Sequence, residues 1–217
     1  LHSGKVDINS DPRLKHYFDT LHETIKYAKE KQFPPISGLF VFKIGDGYNY
    51  LLDIPVINWS KPENKKGFLF PDWIFSQIKL RKHDYTVNRV PFKKKINTIY
   101  FRGRSSTRKT NKVREKMHDF KSPFTVNITH EYEPYFYTAK YKYLLDLPGR
   151  KPWSVRLYEL LLSRSLVIRV RFYREGEPWI VFYDRALKNQ RDYVELKYNL
   201  NYDKEIDDRT LHKIRDD

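Results

Sequence analysis

Residues 147–170, LPGRKPWSVRLYELLLSRSLVIRV, decide the fold of this chain. The apolar run at residues 143–147 predicts a buried strand, and a glycine with two prolines ends it. A helical pattern begins directly after Ser154, and SLVIRV returns to a strand pattern. A strand, a helix and a strand in close succession are typical of parallel α/β proteins. The stretch also raises the question of why Ser154 and Arg156 stand at the mouth of so apolar a helix.

The same alternation of strands and helices extends along the chain. An amphipathic helix is predicted from Asp11, a good N-cap, to about residue 31. Further helices are predicted at FPDWIFSQI, between the RGRSSTRKT loop and His118, and at the C-terminus. The predicted strands are LFVFKI, IPVINWS, INTIYF, FTVNIT, YKYLLDL, SLVIRV and YVELK. A second half begins near Lys93, so we expect two domains, residues 1–92 and 93–217.

The composition excludes several classes of site. The 217 residues are 40% hydrophobic and 16% aromatic, which is enough for a packed core. The absence of cysteine excludes disulfides, thiolate metal sites and cysteine nucleophiles. The seven histidines show no ligand spacing, so no metal site is predicted. No apolar run reaches the roughly 18 residues of a membrane span, and no signal-peptide pattern is present.

The net charge of +15 calls for an anionic partner. A polyanion, an anionic membrane surface or a small phosphorylated ligand would each satisfy it. The basic clusters PFKKKIN and RKTNKVREK are ordinarily solvated faces, whereas the 17 tyrosines could stack nucleic-acid bases. However, the tyrosines are scattered and no nucleic-acid-binding motif accompanies them.

Two polar loops follow predicted strands, RGRSSTR after INTIYF and GRKPWSVR after YKYLLDL. Ligands of parallel α/β sheets bind beyond the carboxyl ends of the strands. Guanidinium groups, hydroxyls and a helix N-terminus all favour phosphate. The loops therefore predict a diphosphate site, in which Ser154 binds one phosphate and Arg156 neutralises charge. Taken singly, Ser154 is better explained as an N-cap and Arg156 as a solvated surface charge; the pairing of two such loops at equivalent strand ends favours the phosphate site.

A candidate general base lies in the first half of the chain. Asp46, in FKIGDGYNY, follows a predicted strand and is flanked by glycines, which suits a carboxylate at the mouth of a cleft. The alternative is a turn aspartate that binds its own backbone. Asp53 is a rival for the role of base.

Four segments in this order resemble the CAP10-like glycosyltransferases, glycosyltransferase family 90. They are IPVINWSK with FPDWIF, KKKINTIYFRGRSSTR, KYKYLLDLPGRKPWSVRLYELLLSRSLVI, and PWIVFYDRAL with DYVEL. The resemblance covers about residues 39–196. It implies a GT-B-like α/β fold of two Rossmann-like halves with parallel sheets, the first reduced or truncated here. It also implies an inverting, metal-independent enzyme that uses a UDP-sugar such as UDP-glucose or UDP-xylose.

The resemblance assigns roles to residues of both halves. Residues 1–92 would form the acceptor-side region with Asp46 as the catalytic base, and residues 93–217 the nucleotide-sugar-binding domain. The nucleotide or phosphate would be bound by Arg104, Ser105, Ser106, Thr107, Arg108, Lys151, Ser154 and Arg156. No metal or other cofactor is expected.

The expected partners are a UDP-sugar donor and a protein or glycan acceptor, without nucleic acid or a membrane span. Without the cysteines of animal members, we expect a soluble, cytoplasmic protein, or a secretory one if the chain is a fragment. Its Lys-, Asn-, Ile- and Tyr-rich composition suits an AT-rich genome such as that of a large virus. Two alternatives stay open, a basic nucleic-acid-binding protein and a catalytically inactive relative that binds UDP or glycan.

Overall fold

The computed structural model describes ten segments, residues 12–34, 41–42, 56–71, 90–103, 112–119, 124–128, 134–147, 156–173, 178–198 and 208–217. The helices are α1 (Pro12–Glu30), α2 (Lys112–His118), α3 (Leu157–Leu162) and α4 (Asp208–Asp216). The strands of the first half are β1 (Val41–Phe42), β2 (Val56–Asn58), β3 (Ser60–Pro62) and β4 (Phe68–Leu69). Those of the second half are β5 (Ile96–Gly103), β6 (Phe124–Ile128), β7 (Tyr141–Asp146), β8 (Leu166–Phe172), β9 (Trp179–Val181) and β10 (Val194–Tyr198).

Five strands of the second half form one parallel sheet in the order β10-β8-β7-β5-β6. Counted along the chain, the spatial order is 2-1-3-4-5, read from β6 to β10. The connection from β5 leads to one side of the sheet and the connection from β7 to the other. The switch point of this topology therefore lies between the carboxyl ends of β5 and β7.

Both faces of this sheet pack against helices, which explains the apolar runs in its central strands, such as YLL in β7 and LVI in β8. One face packs against α2 and α4 through a core of Phe101, Met117, Phe124, Val126, Leu145, Leu147, Val170, Tyr198 and Ile214. The other face packs against α3 through Tyr100, Leu144, Leu157, Leu160, Val167 and Tyr193. Successive residues of β5 and β7 thus point to opposite cores, as the two-residue period of a strand requires.

Strands of the first half form a small parallel sheet in the order β1-β2-β4. Next to it, Tyr17 of α1 stacks on Trp59, with ring centroids 5.7 Å apart. The antiparallel pair β3 and β9, with Lys61 opposite Ile180, joins this part of the chain to the second half.

The structure confirms the α/β fold with a parallel, Rossmann-like sheet and the predicted N-terminal helix. The YVELK strand does close the sheet, as β10 at its edge. Strand β9 was not predicted, because three buried residues carry too short a pattern. The FPDWIFSQI helix lies outside the described residues. The two-half GT-B arrangement and the boundary at residue 92 stay predictions. None of the described helices has both the length and the apolar character needed to cross a membrane.

Candidate functional site at the sheet switch point

The two loops predicted to bind phosphate leave the sheet from neighbouring strands. The first two residues of RGRSSTR, Arg102 and Gly103, are the last two of β5, and GRKPWSVR comes shortly after Leu147, the residue that follows β7. Since β5 and β7 pair in parallel, their carboxyl ends lie side by side. The loops thus start from the two sides of the switch point, which is where ligands of such sheets bind.

Of the predicted phosphate-binding residues, Arg156 is the one within the described segments. Residues 104–108, Lys151 and Ser154 lie outside them, and so does Asp46. Arg156 comes directly before α3, and its carbonyl accepts the first helical hydrogen bond, from the backbone N–H of Leu160 at 2.9 Å. The side chain turns back from the helix into the sheet and is only 5% exposed.

The guanidinium of Arg156 joins the ends of the two strands that flank the switch point. Its Nε donates to Asp146 Oδ1 of β7 at 3.2 Å, forming a buried ion pair. Its Nη1 donates to the carbonyl of Arg102 in β5 at 3.1 Å, and its Nη2 donates to the carbonyl of Leu147. One planar cation thereby fixes the spacing of both loop origins. A guanidinium suits this task because its donors form a rigid fork. The surface-charge alternative for Arg156 is therefore wrong, while its contact with a phosphate stays a prediction.

Two residues of the sequence FRG, residues 101–103, pack against the guanidinium of Arg156. The guanidinium carbon of Arg156 lies 4.7 Å from the centre of the Phe101 ring, a cation–π distance. A Cβ on Gly103 would lie 2.8 Å from Phe101 Cζ and 3.0 Å from Arg156 Nη1. Glycine is thus required here by close packing. The two segments that carried the family resemblance most specifically, FRG and the helix start at Arg156, meet in one contact.

A second group of buried charges lies beside the switch point, on β8 and its neighbours. Arg169, opposite Asp146 in the register of β7 and β8, donates from Nη1 to Asp184 Oδ1 at 2.6 Å. Burial alone would lower the pKa of Arg169, but the Asp184 carboxylate outweighs it and raises that pKa above its usual range. Arg171 lies 3.5 Å from Asp184 and 3.4 Å from Glu195. With Arg156 and Asp146, these pairs balance three guanidinium groups against three carboxylates, so the cluster is fixed in place and neutral overall.

The predicted base, itself outside the described residues, follows the first strand of the small sheet in the sequence. Asp46 follows β1, and β1 pairs in parallel with β2 through Val41–Val56 and Phe42–Ile57. The carboxyl end of β1 therefore lies beside that of β2, where Asn58 is 2% exposed. Within the described residues, no group of three or more His, Asp or Glu side chains is placed to hold a metal ion.

Sequence reasoning missed Asp146 and the role of Phe101. Asp146 could have been found from the sequence, because it is a carboxylate near the end of the otherwise apolar strand YKYLLDL. A carboxylate that is buried there needs a cation as its partner. Phe101 offered no such signal, because an aromatic residue in a strand is most often a core residue. Only the fold brings Phe101 against Arg156.

Together, the sheet order and the buried Arg156–Asp146 ion pair at the switch point define a Rossmann-like α/β domain. The chain belongs to glycosyl transferase family 90, since the model of that family matches residues 46–211, well over half of the chain. This confirms the family prediction and makes the protein a glycosyltransferase by family. No curated protein matches the chain.

Proposed function

We propose that the protein is an inverting glycosyltransferase that moves a sugar from a UDP-sugar to a hydroxyl group of a protein or glycan. The observation that carries the proposal is the tie made by Arg156 across the switch point. It holds the origins of two loops rich in Arg, Ser, Thr and Lys side by side. In a domain of this family, that is the place where a diphosphate would be expected.

In this proposal the donor diphosphate lies between the two loops. Residues 104–108 approach it from the β5 side, and Lys151 and Ser154 from the β7 side. Their guanidinium, hydroxyl and ammonium groups offset the negative charge that grows on UDP as it leaves, a task that preorganised donors perform well. Arg156 contributes by keeping both loops at a fixed distance, and we propose that its charge also favours the diphosphate.

The transfer itself would be a single displacement. Asp46 accepts the proton of the acceptor hydroxyl while the hydroxyl oxygen attacks the anomeric carbon. The bond from that carbon to the β-phosphate oxygen breaks, and its electron pair leaves with UDP. Attack from the side opposite the leaving group inverts the anomeric centre, through a transition state of oxocarbenium character. The donor sugar we expect is glucose or xylose, as the family resemblance implies.

The test is UDP release from a panel of UDP-sugars in the presence of EDTA. Wild type is expected to release UDP slowly by donor hydrolysis, and faster when a hydroxyl acceptor is added. Asp46→Asn should lower the rate by about 10²–10⁴-fold, the usual contribution of a general base. UDP binding, measured by calorimetry, should be unchanged in this variant.

Asp53→Asn is the matched control, because it makes the same chemical change at the rival carboxylate. If Asp53→Asn loses the activity and Asp46→Asn keeps it, the base is assigned wrongly. UDP binding without turnover in any donor and acceptor pair would indicate the inactive relative instead. A protein that does not bind UDP at all would overturn the proposed diphosphate site.

A further inference from the structure

The amino-terminal edge of the five-stranded sheet, opposite the candidate site, carries an exposed apolar surface. Three connections lead into β5, β7 and β8 at this edge, residues 90–95, 134–140 and 163–165. Phe92 is 45% exposed, Ile96 50% and Leu166 39%. Ile96 lies opposite Tyr141 in the strand register, and Tyr143 lies opposite Leu166. Ile96, Tyr143 and Leu166 therefore lie on three adjacent strands, about 5 Å apart per strand. Phe92, in the turn before β5, joins them through its contact with Tyr143, with ring centroids 6.4 Å apart. We call these residues at one end of the sheet the apolar patch.

Within the described residues of the three connections, the charged side chains all have one sign. Residues 90–98, 134–143 and 163–166 contain no Asp or Glu, and they carry Lys93, Lys94, Lys95, Lys140, Lys142 and Arg164. Lys93, Lys94, Lys140 and Arg164 are exposed. The ammonium of Lys142 lies 5.9 Å from the centre of the Phe92 ring. The three connections thus present apolar side chains inside a ring of positive charge.

A buried lysine holds the three connections in place. Lys95 is 4% exposed, and its ammonium donates to the carbonyl of Ala139 at 2.6 Å and to the carbonyl of Ser163 at 2.8 Å. It also donates to the hydroxyl of Ser165 at 2.7 Å, and that hydroxyl donates to the carbonyl of Tyr141. One side chain therefore ties the entries of β5, β7 and β8 together. The patch is built into the fold and does not depend on a partner to assemble it.

We propose that this edge, called here the basic apolar edge and defined by Phe92, Lys93, Lys94, Ile96, Lys140 and Leu166, docks on an anionic lipid bilayer. Lysines near such a surface are attracted by its negative potential, and aromatic side chains settle at the headgroup level. Ile96 and Leu166 decide between lipid and nucleic acid, because aliphatic side chains gain by entering lipid and cannot stack on bases. Association of this kind lies on the membrane and does not span it.

Docking through this edge would set the orientation of the candidate site. The eight residues of β5 lead from Ile96, at the basic apolar edge, to Gly103, at the switch point. At about 3.3 Å per residue, the loop origins would lie roughly 25 Å above the headgroups, facing away from the bilayer. The proposal rests on this surface alone and does not depend on the transfer reaction.

Vesicle co-sedimentation of the whole chain tests the proposal. Wild type is expected to bind vesicles in which about one lipid in three is phosphatidylserine and not to bind vesicles of pure phosphatidylcholine. It should dissociate from the anionic vesicles as the NaCl concentration rises toward about 0.5 M. Lys93→Glu combined with Lys94→Glu should weaken the partition coefficient by at least about tenfold. Phe92→Ser combined with Ile96→Ser should weaken it several-fold while leaving the salt dependence in place. Thermal melts verify that each variant is folded.

Lys26→Glu combined with Lys29→Glu is the matched control, since it makes the same charge change on two exposed lysines of α1. This variant should bind vesicles within about twofold of wild type. Equal loss in both charge variants would show nonspecific attraction and overturn the proposal. Failure of wild type to bind anionic vesicles would also overturn it, as would binding to DNA at physiological salt without binding to vesicles.

Discussion

The two edges of the five-stranded sheet use the same device, a buried cation that ties neighbouring strands, with different partners. At the carboxyl edge, Arg156 bonds to the Asp146 carboxylate and to two carbonyls. At the amino edge, Lys95 bonds to two carbonyls and a hydroxyl, all of them uncharged. The charge of Arg156 is thus neutralised by a carboxylate of the protein, whereas the charge of Lys95 is stabilised by the dipoles of its uncharged hydrogen-bond partners.

This difference has consequences for charge. At the carboxyl edge, the guanidinium of Arg156 is held against the Asp146 carboxylate. At the amino edge, burial lowers the pKa of Lys95 to about 8, because its uncharged partners do not repay the lost hydration fully. The amino edge therefore contains a buried group that can titrate.

Removing the cation of the carboxyl edge should have the largest effect on stability. Arg156→Met removes the cation that donates to Asp146 Oδ1, and Asp146 is a carboxylate only 4% exposed. Loss of one member of a buried pair costs about 3–5 kcal/mol of unfolding free energy. Urea denaturation measures this loss, and calorimetry with UDP shows whether loop spacing matters for the ligand.

Two further variants separate the charge of Arg156 from its shape. Adding Asp146→Leu to Arg156→Met should restore part of the stability, because no buried charge is then left alone. Arg156→Lys should fall between wild type and Arg156→Met, since an ammonium cannot reproduce the fork. A stability of Arg156→Met equal to that of wild type would show that the tie is not structural.

A smaller effect is expected from crowding the same cation. Gly103→Ala would place a Cβ 2.8 Å from Phe101 Cζ and 3.0 Å from Arg156 Nη1. Overpacking of this kind costs about 1–3 kcal/mol, again measured by urea denaturation. Adding Phe101→Leu, which shortens the obstructing side chain, should return part of the loss. If the double variant is as unstable as the sum of the two single changes, the contact of Gly103 with Phe101 is not the cause.

Much of the fold could be predicted because its strands follow simple patterns. Runs such as INTIYF and SLVIRV end in residues that are buried on both faces of the sheet, and the helices predicted between the strands favour parallel pairing. Strand β9 was not predicted because its three residues pair with β3, which comes from a distant part of the chain. A pattern of neighbouring residues does not predict a partner so far away in sequence.

The site could be predicted in outline only. The polar loops after β5 and β7 were visible as sequence, but their adjacency depends on the strand order, which places β7 beside β5 and β6 outside. Arg156 was singled out for its residue type, yet its buried position against Phe101 and Asp146 follows from tertiary packing. The roles of Asp46, residues 104–108, Lys151 and Ser154 stay predictions.

The smallest predicted effect is the pH dependence that Lys95 gives to stability. Its pKa is about 8 in the folded protein and about 10.5 when unfolded. Between these values the unfolded chain holds more protons, so stability rises with pH over this window and is flat below it. Relative to Lys95→Met, wild type should gain roughly 1–2 kcal/mol between pH 8 and pH 10.5, since hydrogen bonds to the ammonium offset part of the shift.

Lys93→Met is the matched control, because Lys93 is exposed, lies two residues away in sequence and loses the same charge. The stability of this variant should follow that of wild type across the whole pH range, because the change is made on the surface and leaves Lys95 in place. The tyrosines that ionise in this range are common to all three proteins and cancel in the comparison. A constant difference between wild type and Lys95→Met would mean that the three acceptors hold the ammonium as firmly as water does. The two edges would then differ in the partners of their cations but not in their response to pH.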